Sequence, residues 1–146
     1  FGLEKEQIKK AIESYEPKQN RSQLINFKGF KVLLDAYNAN PSSMELALET
    51  LELSSKKRKM AILGGMLELG QFEKEEHEKL LQKLAEMDLE KIWLLGKEFE
   101  GLDFDENIKW FANSDECKKE IKNLKFDDGL VLIKGSRKYQ MEKLIQ

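Results

Sequence analysis

Three clusters in this sequence have residue types and spacing that could do chemistry. Asp35 follows the apolar run Val32–Leu34 and opens a polar loop, Asp35-Ala36-Tyr37-Asn38-Ala39-Asn40-Pro41. A carboxylate at a strand end can accept hydrogen bonds from ribose hydroxyls, as acidic residues do in nucleotide folds. The plainer alternative is a turn or helix-capping aspartate. Lys134-Gly135-Ser136-Arg137 sets two cations around a tight turn. Cations and the backbone N–H groups of such a turn make an anion site, and a guanidinium can grip a carboxylate through two parallel hydrogen bonds. A solvated basic turn is the alternative there. Gly64-Gly65 and Gly70 bracket Met66-Leu67-Glu68-Leu69, and glycines let backbone turn sharply or pass close to a ligand. This is not a P-loop, because the Gly-Lys-Ser/Thr ending is absent here and throughout the chain. If a nucleoside triphosphate is used, its main phosphate cradle lies elsewhere.

Other capable residues read as structural. His77 shares a helical stripe with Leu80, Leu81 and Leu84, the pattern of a packed, hydrogen-bonded histidine at a core edge. Cys117 lies on a stripe with Ile121 and Leu124 and behaves as a small buried hydrophobe. No His/Cys cluster has zinc spacing, so no metal ligands are assigned. Trp93 and Trp110 fall in strand-like runs and read as core. Lys56-Lys57-Arg58-Lys59 ends a helix, where cations suit the dipole.

The elements that must position these clusters alternate. Gln23–Phe27 and Lys31–Leu34 are strand-like runs joined by a tight turn at Lys28-Gly29. Asn40 suits an N-cap and Pro41 the first position of a helix whose buried face carries Met44, Ala47, Leu48 and Leu51. The remaining strands are Lys59–Leu63, Lys91–Leu95, Ile108–Ala112 and Leu130–Ile133. Helices are expected over roughly 73–87 and 114–123, with a short final helix at about 139–145. This order predicts an α/β fold. It is a Rossmann-like, mostly parallel sheet of about six strands with helices on both faces and one antiparallel edge strand. In open α/β sheets ligands bind outside the carboxyl ends of the strands, and all three clusters fall there, with Gly96-Lys97-Glu98 beside them.

Composition sets the outer limits. The 146 residues make about one domain, 40% apolar and 36% charged. Lys and Arg number 25 against 27 Asp and Glu, for a net charge of -2. That balance gives no electrostatic reason for nucleic acid or an anionic membrane as partner. One cysteine excludes an internal disulfide and suits a reducing compartment. No apolar run approaches the roughly 20 residues of a membrane span. The start, Phe1-Gly2-Leu3-Glu4-Lys5, lacks both Met and a signal-peptide pattern, so a piece of a longer protein is expected. Ile8, Ala11, Ile12 and Tyr15 predict a helix over 3–15 that Pro17 stops.

Three stretches, in order, resemble the Mur ligase family, and within it the MurF branch, the UDP-N-acetylmuramoyl-tripeptide–D-alanyl-D-alanine ligases. Asp35-Ala36-Tyr37-Asn38-Ala39-Asn40-Pro41-Ser42-Ser43-Met44 is similar to the branch's Asp-x-Tyr-Asn-Ala-Asn-Pro-x-Ser-Met loop, the most specific signal. Gly64-Gly65-Met66-Leu67-Glu68-Leu69-Gly70 resembles Gly-Asp-Met-Leu-Glu-Leu-Gly, with Gly65 departing from Asp. Lys134-Gly135-Ser136-Arg137, followed by Met141-Glu142, resembles the Lys-Gly-Ser-Arg turn. His77 also falls where the family often has a histidine. The resemblance covers essentially the whole chain. Residues 1–17 look like the last helix and linker of a central ATPase domain, and 18–146 like the C-terminal domain.

The resemblance implies a bacterial, cytoplasmic, monomeric ligase of peptidoglycan precursor synthesis, built from three domains. ATP and Mg2+ would be held mainly by the central domain. UDP-N-acetylmuramoyl-tripeptide would be activated as an acyl phosphate and attacked by the amine of D-alanyl-D-alanine. Arg21, Asp35, Tyr37 and Asn38 match nucleotide-binding positions, with Asn20 replacing the family's Gly before Arg21. Asn40, Ser42, Lys134, Ser136 and Arg137 match positions toward the dipeptide. No catalytic residue is expected in the fragment, which should be inactive alone. Two alternatives remain: another Mur-type or folylpolyglutamate ligase domain, and a non-catalytic nucleotide-binding module. The Tyr-Asn-Ala-Asn-Pro loop speaks against the first. A phosphate-accepting receiver module needs an acidic pair after its first strand, which this chain lacks.

Overall fold

The computed structural model describes residues 22–146. The helix expected over 3–15, and Arg21, lie outside the described residues. Six strands form one sheet in the order β1-β2-β6-β3-β4-β5. They are β1 (Gln23–Phe27), β2 (Phe30–Asp35), β3 (Lys59–Gly64), β4 (Lys91–Leu95), β5 (Ile108–Phe111) and β6 (Leu130–Lys134). Only β1 runs antiparallel, paired with β2; the other neighbours are parallel. Lys28 (φ 48°) and Gly29 (φ 87°) both take positive φ between β1 and β2, the backbone of a two-residue hairpin whose twist matches its strands. The antiparallel edge expected from the sequence is therefore present.

Among the described residues three α-helices pack on the sheet: α1 (Pro41–Leu53), α2 (Glu73–Ala85) and α3 (Ser114–Lys122). Side chains alternate along a strand, so one strand feeds two cores. Leu130 and Leu132 of β6, with Ala61, Leu63, Ile92 and Leu94, meet Met44, Leu48 and Leu51 of α1 and Leu80 and Leu84 of α2. Val131 and Ile133, with Met60, Ile62, Trp93 and Leu95, meet Cys117 and Ile121 of α3 and Met141 and Leu144 of the C-terminal segment. Burial on both faces is why these strands read as unbroken apolar runs.

The chain end differs from expectation. In place of one helix at about 139–145 there are two 3-10 turns, Arg137–Tyr139 and Met141–Ile145. Gln140 sits between them in the left-handed region at φ 45°, which ends a right-handed helix. Met141 and Leu144 are still buried, because residues three apart share one side of a 3-10 turn.

β6 is last in the chain yet lies between β2 and β3. From its end the chain runs to the face of α3, whereas β2 and β3 lead to α1 and α2 on the other face. Such a reversal opens a crevice at the carboxyl ends of the strands.

Candidate functional site

The crevice brings together two segments 99 positions apart. Asp35 and Lys134 end β2 and β6 as direct partners in the ladder. Lys134 Nζ donates to Asp35 Oδ2 at 2.8 Å and to the Asn38 carbonyl at 3.0 Å. The lysine side chain is 1% exposed and that of Asp35 20%. The ammonium is thus committed inward, and the turn expected to present two cations presents one. Arg137 is exposed, and its guanidinium lies 5.8 Å from the ring centre of exposed Tyr37, within cation–π range. Ion pair, carbonyl bond and ring contact hold the Asp35–Asn40 loop against the Lys134–Arg137 turn. Asp35 Oδ1 has no hydrogen bond among the described residues, so the loop keeps a carboxylate oxygen able to accept one.

Asn40 caps α1. Its side-chain oxygen accepts from Ser43 N at 2.8 Å, while Asn40 N donates to Ser43 Oγ at 3.1 Å. This reciprocal box satisfies helix-end donors and fixes where Asn38 and Tyr37 stand. Asn38 and Ser42 are exposed on the rim. Ser136 is buried, with an Oγ that has no hydrogen-bond partner; its N–H donates to the Gly65 carbonyl at 3.3 Å. A β-carbon on Gly135 would lie 2.9 Å from Gly64 Cα, so β3 and β6 meet backbone to backbone at this end.

The loop after β3 is pinned from behind. His77 is fully buried. Its Nε2 accepts from Met66 N at 3.0 Å, which leaves Nδ1 to carry the hydrogen and donate to the Glu73 carbonyl at 2.6 Å. Its ring stands edge-on to Phe99 at 4.9 Å. The packed histidine read from the helical stripe is what the structure contains.

Sequence reasoning placed Gly96-Lys97-Glu98 at the site edge without giving Glu98 a role, and did not single out Tyr139. Glu98 follows Gly96 in the short turn Lys97–Phe99 after β4 and is 6% exposed. Its Oε1 accepts a hydrogen bond from the Tyr139 hydroxyl, and its Oε2 is buried without a partner. Burial first, then the bond to Glu98, holds the Tyr139 hydroxyl above the usual tyrosine range, so it stays a donor. A β-carbon on Gly65 would fall 2.1 Å from Glu98 Oε1 and 2.7 Å from its Cδ. Position 65 has no positive φ, so a side chain there would meet the Glu98 side chain, which would have to move, and not backbone strain. Gly65, where the resemblance leads one to expect aspartate, thus faces a carboxylate supplied by Glu98. The signal in the sequence was that pairing, an absent carboxylate at 65 and a present one at 98, and only three dimensions reveal it.

Residues 20–137 match the family described as "Mur ligase, glutamate ligase domain". The chain is 34% identical over 131 residues to the UDP-N-acetylmuramoyl-tripeptide--D-alanyl-D-alanine ligase of Rickettsia prowazekii, covering 87% of this chain and 29% of that protein. A crystal structure of MurF from Acinetobacter baumannii superposes with a TM-score of 0.77 at 30% identity, over 98% of this chain and 33% of that one. MurF from Thermotoga maritima, solved in complex with ADP, gives 0.76 at 27% identity, over 90% and 30%. The chain spans about a third of the length of the relatives it matches.

Proposed function

Because this chain belongs to the Mur ligase family, matching its glutamate ligase domain, we propose that it is the C-terminal domain of a ligase that joins D-alanyl-D-alanine to UDP-N-acetylmuramoyl-tripeptide. The observation that carries this reading is the joining of the Asp35–Asn40 loop to the Lys134–Arg137 turn at the crevice. One side offers a carboxylate oxygen and the other an exposed guanidinium.

These groups suit the two ligands. Asp35 Oδ1 is an acceptor for the ribose hydroxyls of ATP, and Tyr37 and Asn38 line the same side, with Arg21 assigned to the phosphates. Arg137 is the partner for the dipeptide carboxylate, which a planar guanidinium can hold through paired bonds. Asn40 and Ser42 stand at the adjoining helix start. Lys134 acts from below by fixing Asp35 and the Asn38 carbonyl. The family resemblance assigns Mg2+ and the phosphate cradle to the preceding domain.

ATP supplies the phosphoryl group that turns the tripeptide carboxylate into an acyl phosphate. The dipeptide amine then attacks the carbonyl carbon; the new amide forms as phosphate departs and the amine loses a proton. This domain's part is to hold the amine close, which makes the attack effectively intramolecular. Closing over the site keeps water from the acyl phosphate. Without the phosphate cradle the isolated domain should not turn over.

The test is phosphate release by the full-length protein with ATP, Mg2+ and UDP-N-acetylmuramoyl-tripeptide, with and without D-alanyl-D-alanine. Release that depends on the dipeptide is expected. Equal release with glutamate or single amino acids would overturn the assignment. Arg137→Ala should raise KM for the dipeptide roughly 10–100-fold, the loss of a charge-assisted contact, and Asp35→Ala should act mainly on ATP. Equal effects of both variants on both substrates would refute this division.

A further inference from the structure

The Glu98 carboxylate is unused by the site as assigned so far, yet it sits where three loops meet. Its neighbours come from the loop after β3 (Gly65), its own turn after β4 (Gly96) and the turn after β6 (Tyr139). Gly96, at φ +120°, would place a β-carbon 2.7 Å from Glu98 Oε1 and 2.4 Å from the Tyr139 hydroxyl oxygen. Both glycines therefore clear room for one carboxylate and the phenol bound to it. Phe99, fully buried and edge-on to His77, anchors the turn that carries Glu98.

We propose that Glu98 is a positioning residue for the amine substrate: by accepting the Tyr139 hydroxyl it fixes the turn that presents Arg137. The inference rests on the reading that Arg137 meets the dipeptide. Tyr139 is two residues beyond Arg137 in the same 3-10 turn, roughly 4 Å along its axis at about 2 Å per residue. A turn of three residues closed by two backbone bonds, Tyr139 N to the Ser136 carbonyl at 3.0 Å and Gln140 N to the Arg137 carbonyl at 3.1 Å, is held only locally by its own backbone. Beyond it Gln140, at φ 45°, keeps the chain from continuing as one helix. The Glu98 bond ties this turn to the sheet through the end of β4. The same carboxylate occupies the space of any side chain at position 65, so the two positions exclude one another: one carboxylate fits here, from either residue.

The test uses the full-length protein and measures KM for the dipeptide and for ATP, with thermal melting of each variant. Glu98→Ala and Tyr139→Phe should each raise KM for the dipeptide about 5–20-fold and leave that for ATP within about 2-fold, less than the loss of the direct Arg137 contact because the effect passes through the turn. Gly65→Asp alone should lower the melting temperature and impair dipeptide use, because two carboxylates cannot share the place. Gly65→Asp combined with Glu98→Ala should recover most of both losses. A Glu98→Ala protein with unchanged dipeptide KM, or equal rises for both substrates, would overturn the proposal while leaving the ligase reading intact. So would a double variant that merely adds the two single losses. A parent protein with no dipeptide dependence overturns both, whereas the melting coupling between positions 65 and 98 is read independently of activity.

Discussion

Breaking the Asp35–Lys134 pair from its two ends should cost unequal amounts. Lys134 Nζ lies 2.8 Å from Asp35 Oδ2 and 3.0 Å from the Asn38 carbonyl. Its side chain is 1% exposed, against 20% for Asp35. Asp35→Ala leaves an ammonium out of water with one neutral acceptor. Stranding a buried charge costs about 3–5 kcal/mol; the surviving carbonyl bond brings the expectation to the lower end, about 3 kcal/mol. Lys134→Met keeps the apolar stem and strands a carboxylate that water already reaches, so the cost is closer to that of an ordinary hydrogen bond, about 1–2 kcal/mol. The assay is urea unfolding of the two variants beside the parent chain. With a slope of about 2 kcal/mol/M, the midpoint of Asp35→Ala should fall roughly 0.5–1 M below that of Lys134→Met. The double variant should lose less than the sum of the singles, because the second change removes the stranded group. Equal midpoints, a larger loss for Lys134→Met, or strict additivity would show that exposure does not decide the asymmetry.

Other consequences follow from the same geometry. Burial pushes the Cys117 thiol up to about 12, so a thiol reagent at pH 8 should label it only after denaturation; rapid labelling of the native chain would contradict the packing. Arg58 binds Glu90 through two bonds, at 3.0 and 2.7 Å, and that hydrogen bonding holds the Glu90 carboxyl below its usual 4.5. A lowered carboxyl stabilises the fold above its unfolded value, and the contribution fades as pH falls through the lowered one. Glu90→Gln should therefore flatten the acid side of the stability curve below about pH 4.5; a superimposable curve would remove the pair from the account. His77→Phe keeps an aromatic ring against Phe99 but strands the Met66 N–H, at about 1–3 kcal/mol. A melting temperature unchanged from the parent would mean that the amide had found another partner.

The strands were legible because burial on both faces writes them as short apolar runs such as Leu130–Ile133. The caps were legible because Asn40 and Pro41 have local reasons to stand where they do. What the sequence concealed is of two kinds. The final segment has helical composition, and its division into two 3-10 turns at the left-handed Gln140 is something no spacing encodes. The inward commitment of Lys134 and the place of Glu98 depend on neighbours 99 and 41 positions away. A lysine at a strand end reads alike whether its ammonium points to solvent or to a carboxylate on the adjoining strand. The Gly65 substitution has meaning only beside a residue from another loop.

That dependence follows from topology. β6 enters the sheet last in sequence and in the middle in space, between β2 and β3. Until it docks, Asp35 has no lysine, Gly65 has no Ser136 N–H beside its carbonyl, and Glu98 has no Tyr139. The contacts that join β6 and its turn to the rest of the crevice therefore span long loops, whose closure entropy must be met before any of them forms. The inserted strand contributes to both cores, through Leu130 and Leu132 on one face and Val131 and Ile133 on the other, and each such side chain contributes about 1.5–3 kcal/mol on burial. Apolar burial along β6 thus offsets the cost of bringing the polar residues at its end into register. A substitution in the strand itself, such as Leu132→Ala, should loosen the crevice together with the core.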